Sequence, residues 1–378
     1  VPSFERTMAT VFHIVGARPN FMKVAPIYNA IAARKALRQR LVHTGQHYDV
    51  KMSEVFFEDL GLPAPDLHLG VGSGSHAEQT AKIMVELEKA FTREKPALVS
   101  VVGDVNSTLA AALVASKMGL PVAHVEAGLR SFDRAMPEEI NRVVTDRLSD
   151  FLLTPSQDAD DNLLHEGVSP RQIHFVGNVM IDALLASRSR AQSLPTLSQL
   201  GLAPHSYAVC TLHRPSNVDD PRVLGGLLEA LGRIAKAVPV LFPVHPRTRK
   251  IIEQSLNASR LGNAPGLRLL EPMGYLEFLA LTSQARLILT DSGGLQEEST
   301  ALGVPCLTLR ENTERPITVT VGTNLVVGTD PERIQREATR VFQGQGKRGR
   351  LPERWDGHTA ERIAALYEDF VGQPTLRV

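Results

Sequence analysis

Short apolar runs rich in Val, Ile and Leu recur along the chain, separated by stretches whose apolar residues return every three or four positions. The first set of runs covers residues 11–16, 40–44, 97–103, 121–125, 151–154 and 173–177; the second covers 207–213, 238–244, 267–271, 287–291, 305–310 and 324–328. A continuous apolar run of strand length marks a strand covered on both faces, and its alternation with helix-period segments is the grammar of βα units around a parallel sheet. The pattern predicts an α/β protein with two doubly wound, Rossmann-like domains. Residues 187–205 are polar and broken by Pro195, Gly201 and Pro204, so they read as a linker. The division is then an N-terminal domain over 1–186, a linker over 187–205 and a C-terminal domain over 206–358. Residues 359–378 carry Ile363, Leu366, Tyr367 and Phe370 at helical spacing, a stripe suited to packing back on the first domain. Open α/β sheets bind ligands beyond the carboxyl ends of their strands. Two such domains are therefore expected to face each other across a cleft to which both contribute.

Composition narrows the class. The 378 residues hold 41 Lys+Arg against 41 Asp+Glu, so the formal charge is zero and no global field exists to hold nucleic acid or an anionic membrane. Any anion site must be local. The apolar runs are far shorter than a bilayer span. Cys210 and Cys306 stand singly, which fits neither a disulfide framework nor a cysteine metal site and suits reduced core thiols in a cytoplasmic protein. Residues 1–10 contain no apolar run of the kind a secretory signal needs.

The chemistry-bearing residues cluster where strands end. The first βα junction is Gly16-Ala17-Arg18-Pro19-Asn20, followed by Lys23 one turn on. Pro19 suits the first turn of a helix, and a helix start with nearby cations is a phosphate site in outline. The junction lacks the three glycines of a dinucleotide fingerprint, which argues against NAD. A weaker glycine pattern at Gly72, Gly74 and Ala77 reads as a loop capped into a helix, because Asp66 and His68 interrupt the strand it would need. Run 97–103 delivers Asp104 to its end and run 121–125 delivers Glu126. Asp104 could be only a helix cap; Glu126, directly behind an apolar strand, is harder to explain that way. Pro137 opens a helix with Glu138 and Glu139 in its first turn, where dipole complementarity accounts for at least one of the two.

In the second half, run 207–213 ends in His213 and run 287–291 in Asp291-Ser292-Gly293-Gly294, with Glu298 one turn into the helix that follows. Strand, glycine turn and helix make a second anion or nucleotide site, in which an inward Glu298 could take both ribose hydroxyls. Arg315 occupies a similar rim position after run 305–310.

Together these strings resemble the non-hydrolysing UDP-N-acetylglucosamine 2-epimerase family: G-A-R-P-N-F-M-K from Gly16, T-G-Q-H-Y-D from Thr44, G-D-V-N-S-T from Gly103, H-V-E-A-G-L-R from His124, M-P-E-E-I-N-R from Met136, L-H-R from Leu212, D-S-G-G-L-Q-E-E from Asp291 and T-E-R-P from Thr313. The resemblance implies a GT-B type fold and a homodimer that interconverts UDP-GlcNAc and UDP-ManNAc without metal or NAD, in the supply of cell-envelope polysaccharide. By matching positions, Asp104, Glu126 and Glu138 would be the acid/base carboxylates, with His213 assisting at the diphosphate. Arg18, Lys23, Ser292, Gly293, Gly294, Glu298 and Arg315 would hold the UDP-sugar. Some members also bind a second UDP-GlcNAc near the T-G-Q-H string, here Gln46 and His47. A UDP-diacetamido uronic acid 2-epimerase shares most of the strings, although Arg315-Pro316 leans toward UDP-GlcNAc. A retaining GT-B glycosyltransferase, a hydrolysing epimerase and a non-catalytic nucleotide-sugar sensor are the other readings of the same residues.

Overall fold

The structure is a computed structural model and describes residues 8–45, 61–244, 246–254 and 264–372. Gln46 and His47 lie outside the described residues, as does the side chain of Arg18. The chain forms two compact units, Val1–Ala183 with Glu353–Val378, and Leu184–Pro352.

The first unit is built on a parallel sheet of seven strands among the described residues: β1 (Thr10–Val15), β2 (Arg38–His43), β3 (Leu67–His68), β4 (Leu98–Val102), β5 (Val122–Val125), β6 (Phe151–Thr154) and β7 (Ile173–Phe175), in the order β3-β2-β1-β4-β5-β6-β7. Alternating residues of each strand feed two cores. Val11, Val15, Leu98 and Val102 pack with Ile27 and Ile31 of helix Arg18–Arg34 and with Ile363 and Ala364 of helix Thr359–Gly372. Phe12, Ile14, Val99 and Val101 pack with Ile83, Leu87 and Phe91 of helix His76–Glu94 and with the alanines of helix Asn106–Lys117. All five residues of β4 are buried, which is why its run is apolar without alternation. Its one hydroxyl, Ser100 Oγ, meets the buried Tyr367 hydroxyl at 2.7 Å and ties the terminal helix to the sheet.

The second unit repeats the plan with β8 (Ala208–Thr211), β9 (Val240–Pro243), β10 (Leu267–Leu270), β11 (Leu287–Thr290), β12 (Cys306–Thr308) and β13 (Asn324–Val326), all parallel, in the order β10-β9-β8-β11-β12-β13. Cys210 and Cys306 are buried free thiols on β8 and β12. In both sheets the strand order reverses once, between β1 and β4 and between β8 and β11. The connecting chains leave the sheet in opposite directions at such a point and open a crevice beyond the strand ends.

Two boundaries differ from the sequence reading. Residues 187–205 are no linker: helix Val179–Gln192 runs through the division between the units, helix Thr196–Gln199 follows, and Leu197, Leu200 and Leu202 pack on the core around Tyr207 and Val209. The outward polar residues hid these anchors. The second unit also ends at Pro352, because Trp355 is buried in the first unit with its Nε1 donating to the Pro155 carbonyl at 2.9 Å. β3 is a two-residue strand in the segment where Asp66 and His68 broke the apolar run, and the helix beyond it is capped by Ser75 and Glu78. Among the described residues no helix is long and apolar enough to cross a membrane.

Candidate active site

At the reversal point of the first sheet, Asn20 joins two strand ends. Its Oδ1 accepts from the amides of Gly16 and Ala17 at 3.2 and 3.0 Å, and its Nδ2 donates to the Val102 carbonyl at 3.0 Å. Two amides at the expected anion site are thus already held by the protein. Gly16 is required because a Cβ there would fall 2.1 Å from Ser107 Oγ. One turn into the helix, Lys23 forms an ion pair with Glu126, and both side chains are nearly buried. The sequence predicts UDP for Lys23; in the structure its ammonium lies on the Glu126 carboxylate.

Glu126 follows β5 with φ +72°, a left-handed backbone that a residue with a side chain adopts at a cost of about 1–3 kcal/mol. The amides of Glu126 and Ala127 both donate to the Leu153 carbonyl, at 3.0 and 3.1 Å, and this double anchor maintains the turn. Asp104 is not a helix cap. The cap position of the next helix is Val105, and the Asp104 carboxylate pairs with Arg142 while its carbonyl accepts Asn141 Nδ2 at 2.9 Å.

Helix Pro137–Leu148 separates the two adjacent glutamates. Glu139 is buried and fully engaged, accepting from the Ser131 amide and hydroxyl at 2.9 Å, the Phe132 amide at 2.9 Å and Arg142 at 2.6 Å. Glu138 is half-buried and has no hydrogen-bond or ion-pair partner among the described residues. The buried positions of this helix are Glu139, Asn141, Arg142, Thr145 and Asp146, without one aliphatic side chain, whereas Ile140 is exposed. The buried polar groups of this helix are engaged in a hydrogen-bonded network that includes Asp104, Ser131 and His124.

In the second unit, Asp291 ends β11 as a buried carboxylate. It lies 2.8 Å from His213 Nδ1 and accepts from the amides of His213 and Arg214 at 3.0 Å and from Asn217 Nδ2 at 3.1 Å. Burial pushes its pKa up, but the bonds to His213 and the amides outweigh it and hold the carboxyl below its ordinary value. With Nδ1 engaged, the exposed part of the His213 ring presents Nε2.

Helix Gly293–Leu302 starts from Ser292, whose hydroxyl makes no cap bond. A Cβ at Gly293 would meet Glu314 Oε1 at 2.6 Å, whereas one at Gly294 would meet open space. Gly293 therefore serves close packing and Gly294 borders room for a ligand. Arg315 Nε lies 2.6 Å from Glu297, and Glu314 lies 2.8 Å from Arg310 and 3.3 Å from Arg214. Burial raises the Glu314 pKa, yet Arg315 and Arg310 beside it hold the carboxyl far below the usual range. Glu298 is the opposite case: burial first and the Glu297 charge second push it up to about 8.

A family model described as UDP-N-acetylglucosamine 2-epimerase matches residues 29–368. The chain belongs to the UDP-N-acetylglucosamine 2-epimerase family. A relative named UDP-N-acetylglucosamine 2-epimerase, from Methanococcus maripaludis, is 45% identical over 327 residues, 85% of this chain and 88% of its own. A second, from Pseudomonas aeruginosa, named UDP-2,3-diacetamido-2,3-dideoxy-D-glucuronate 2-epimerase, is 45% identical over 87% of this chain and 91% of its own. The crystal structure of Methanocaldococcus jannaschii UDP-GlcNAc 2-epimerase in complex with UDP-GlcNAc and UDP superimposes with a TM-score of 0.86 at 42% identity, covering 95% of this chain and 99% of that one. Two Rossmann-like sheets and this likeness give the epimerase chain a GT-B type fold.

Within this epimerase fold, the expected residues sort into local groups. Lys23 meets Glu126, Asp104 meets Arg142, and His213, Ser292, Gly293, Glu298 and Arg315 lie on the strand ends and helix starts of the second sheet. Arg142, Asn141, Asp291, Glu297 and Glu314 escaped the sequence reading as site residues. For Asn141 and Arg142 the available signal was their place three and four residues after Glu138 on one helix.

Proposed function

We propose that this chain interconverts UDP-GlcNAc and UDP-ManNAc by eliminating UDP to 2-acetamidoglucal and adding it back. The observation that carries the reading is the pair of separately held carboxylates at adjacent strand ends, Glu126 on Lys23 after β5 and Asp104 on Arg142 after β4. Inversion at C2 requires removal of a proton that no neighbouring carbonyl acidifies. Breaking the C1–O bond leaves its electron pair on UDP and builds positive charge at C1, which makes the C2 proton labile. A carboxylate takes that proton, C1=C2 forms, and a second carboxyl returns a proton to the opposite face as UDP attacks C1 again. Glu138, unpartnered and half-buried, is the third candidate for these transfers.

In this reading the second unit holds UDP. His213 Nε2, the helix start at Ser292-Gly293-Gly294 and Arg315 stabilise the departing diphosphate, a developing charge of the kind that preorganised donors serve best. Glu298, protonated up to about pH 8, both donates and accepts, which suits the two ribose hydroxyls. The Pseudomonas relative supports a second reading, the same elimination on a UDP-diacetamido uronic acid.

Incubation with UDP-GlcNAc in deuterated water, read by NMR, tests the proposal. We expect deuterium at C2 of both UDP-GlcNAc and UDP-ManNAc. Bound ligand without deuterium would make the protein a sensor, free ManNAc with UDP would make it a hydrolase, and turnover confined to the uronic acid would move the substrate.

A further inference from the structure

Beneath the carboxylate turns of the first unit lies a chain of four ionisable groups. His124, on β5 two residues before Glu126, has no exposed surface. Its Nδ1 lies 2.6 Å from Asp146 Oδ1 and its Nε2 lies 2.8 Å from the Gly103 carbonyl oxygen. The other oxygen of Asp146 accepts Arg130 Nη1 at 2.7 Å and the Gly128 amide at 3.1 Å. Arg130 in turn grips Glu166 with two bonds of 2.7 and 2.8 Å.

Both atoms facing the imidazole are acceptors. A neutral ring offers one N–H and one lone pair, so one contact would set lone pair against lone pair in a dry interior, and only the doubly protonated ring satisfies both. Moving the proton to Asp146 would leave a neutral carboxyl under the Arg130 and Gly128 donors. Burial pushes Asp146 up, but His124 and Arg130 outweigh it and keep it below its ordinary pKa. With His124 and Arg130 positive and Asp146 negative, the buried groups need one further negative charge, which the more exposed Glu166 supplies.

We infer that His124 is a positioning residue, donating from both ring nitrogens, whose pair with Asp146 locks the Asp104 turn to the Glu126 turn. The Gly103 peptide, immediately before Asp104, is clamped to β5 at both ends: its amide donates to the Val125 carbonyl at 3.1 Å and its carbonyl accepts from His124. Gly128, two residues after Glu126, is held by Asp146. The helix that carries Asp146 also carries Asn141 and Arg142, which hold the Asp104 carbonyl and carboxylate. Gly128 admits no side chain, since a Cβ there would fall 2.4 Å from the Ala159 carbonyl oxygen. The node thus sets the spacing of the two carboxylates without touching substrate; its catalytic consequence rests on the proposed epimerisation, its protonation state does not.

Nitrogen-15 NMR of the histidine rings in the whole enzyme, with the His124 signals assigned by their loss in His124→Gln, tests the protonation. Both His124 nitrogens are expected to carry protons in the folded enzyme at neutral pH, as the two acceptors facing them require, and a lone-pair signal from either overturns the inference. The second readout is kinetic. His124→Gln, which keeps an amide donor, is expected to lower kcat roughly a hundredfold, the effect of a small misplacement, with KM for UDP-GlcNAc unmoved, and His124→Leu to lower it further. Unchanged kcat in folded His124→Gln, or a rise in KM alone, overturns the positioning role. Should the variants fail to fold, the His124 signals are assigned in the wild-type enzyme through backbone connectivity and still decide, and wild-type enzyme that never epimerises would refute the proposed function while leaving the ring result standing.

Discussion

Glu126→Gln is expected to lower kcat for epimerisation by roughly a thousandfold, within the range that a positioned acid or base contributes, while UDP binds as before. The substitution keeps the size of the side chain and removes its charge and its ability to exchange a proton. The turn itself survives, because its anchors are the Glu126 and Ala127 amides on the Leu153 carbonyl and not the carboxylate. What changes is the pairing of Lys23, whose ammonium loses its buried counter-charge. UDP affinity, measured by calorimetry, is governed by the second unit in this account and separates lost chemistry from lost binding. Deuterium uptake at C2 should fall in step with kcat. Near-normal turnover would remove Glu126 from the proton transfers and leave them to Asp104 and Glu138.

Glu314→Gln is expected to destabilise the second unit by about 3–5 kcal/mol, the cost of breaking a buried ion pair on one side. The carboxylate is 3% exposed and answers Arg310 and Arg214 directly, with Arg315 beside it. A neutral amide of equal size takes this counter-charge from Arg310 and Arg214 while preserving the fit against Gly293. Hydrogen exchange read by mass spectrometry localises the effect. Amides of β11 and β12 should exchange roughly a hundredfold faster or more, while those of β4 and β5 keep their protection. Because the negative charge beside Arg315 is lost and the surrounding strand ends loosen, UDP binding should weaken in parallel. Unchanged protection in β11 and β12 would show that Glu314 is dispensable to the fold.

Strands with two covered faces were plain in the sequence, since burial on both sides removes every reason for polar alternation; β4 and β5 are the clearest cases. Carboxylates at strand ends were legible for the complementary reason, as Asp104 and Glu126 each close an apolar run where its strand ends. Partners were not legible. Lys23 was assigned to a phosphate from its place near a helix start, but its counter-charge comes from Glu126, brought beside it by sheet order and not by sequence spacing. Glu138 and Glu139 carry the same chemistry in sequence and separate only when Ser131 and Phe132 fold back onto the second. Residues 187–205 misled because three leucines anchor a segment whose other positions face solvent. Helix Pro137–Leu148 buries Glu139, Asn141, Arg142, Thr145 and Asp146 and leaves Ile140 exposed, an arrangement that apolar patterning does not reveal.

The central claim is that the C1–O bond breaks before C2 loses its proton. UDP-GlcNAc labelled with oxygen-18 at the atom bridging C1 and the β-phosphorus tests it most directly. If UDP departs, its β-phosphate can rotate before addition, and the label is predicted to appear in non-bridging positions of recovered substrate and product, at a rate no slower than epimerisation. Complete inversion at C2 with the label still wholly in the bridge would contradict the account.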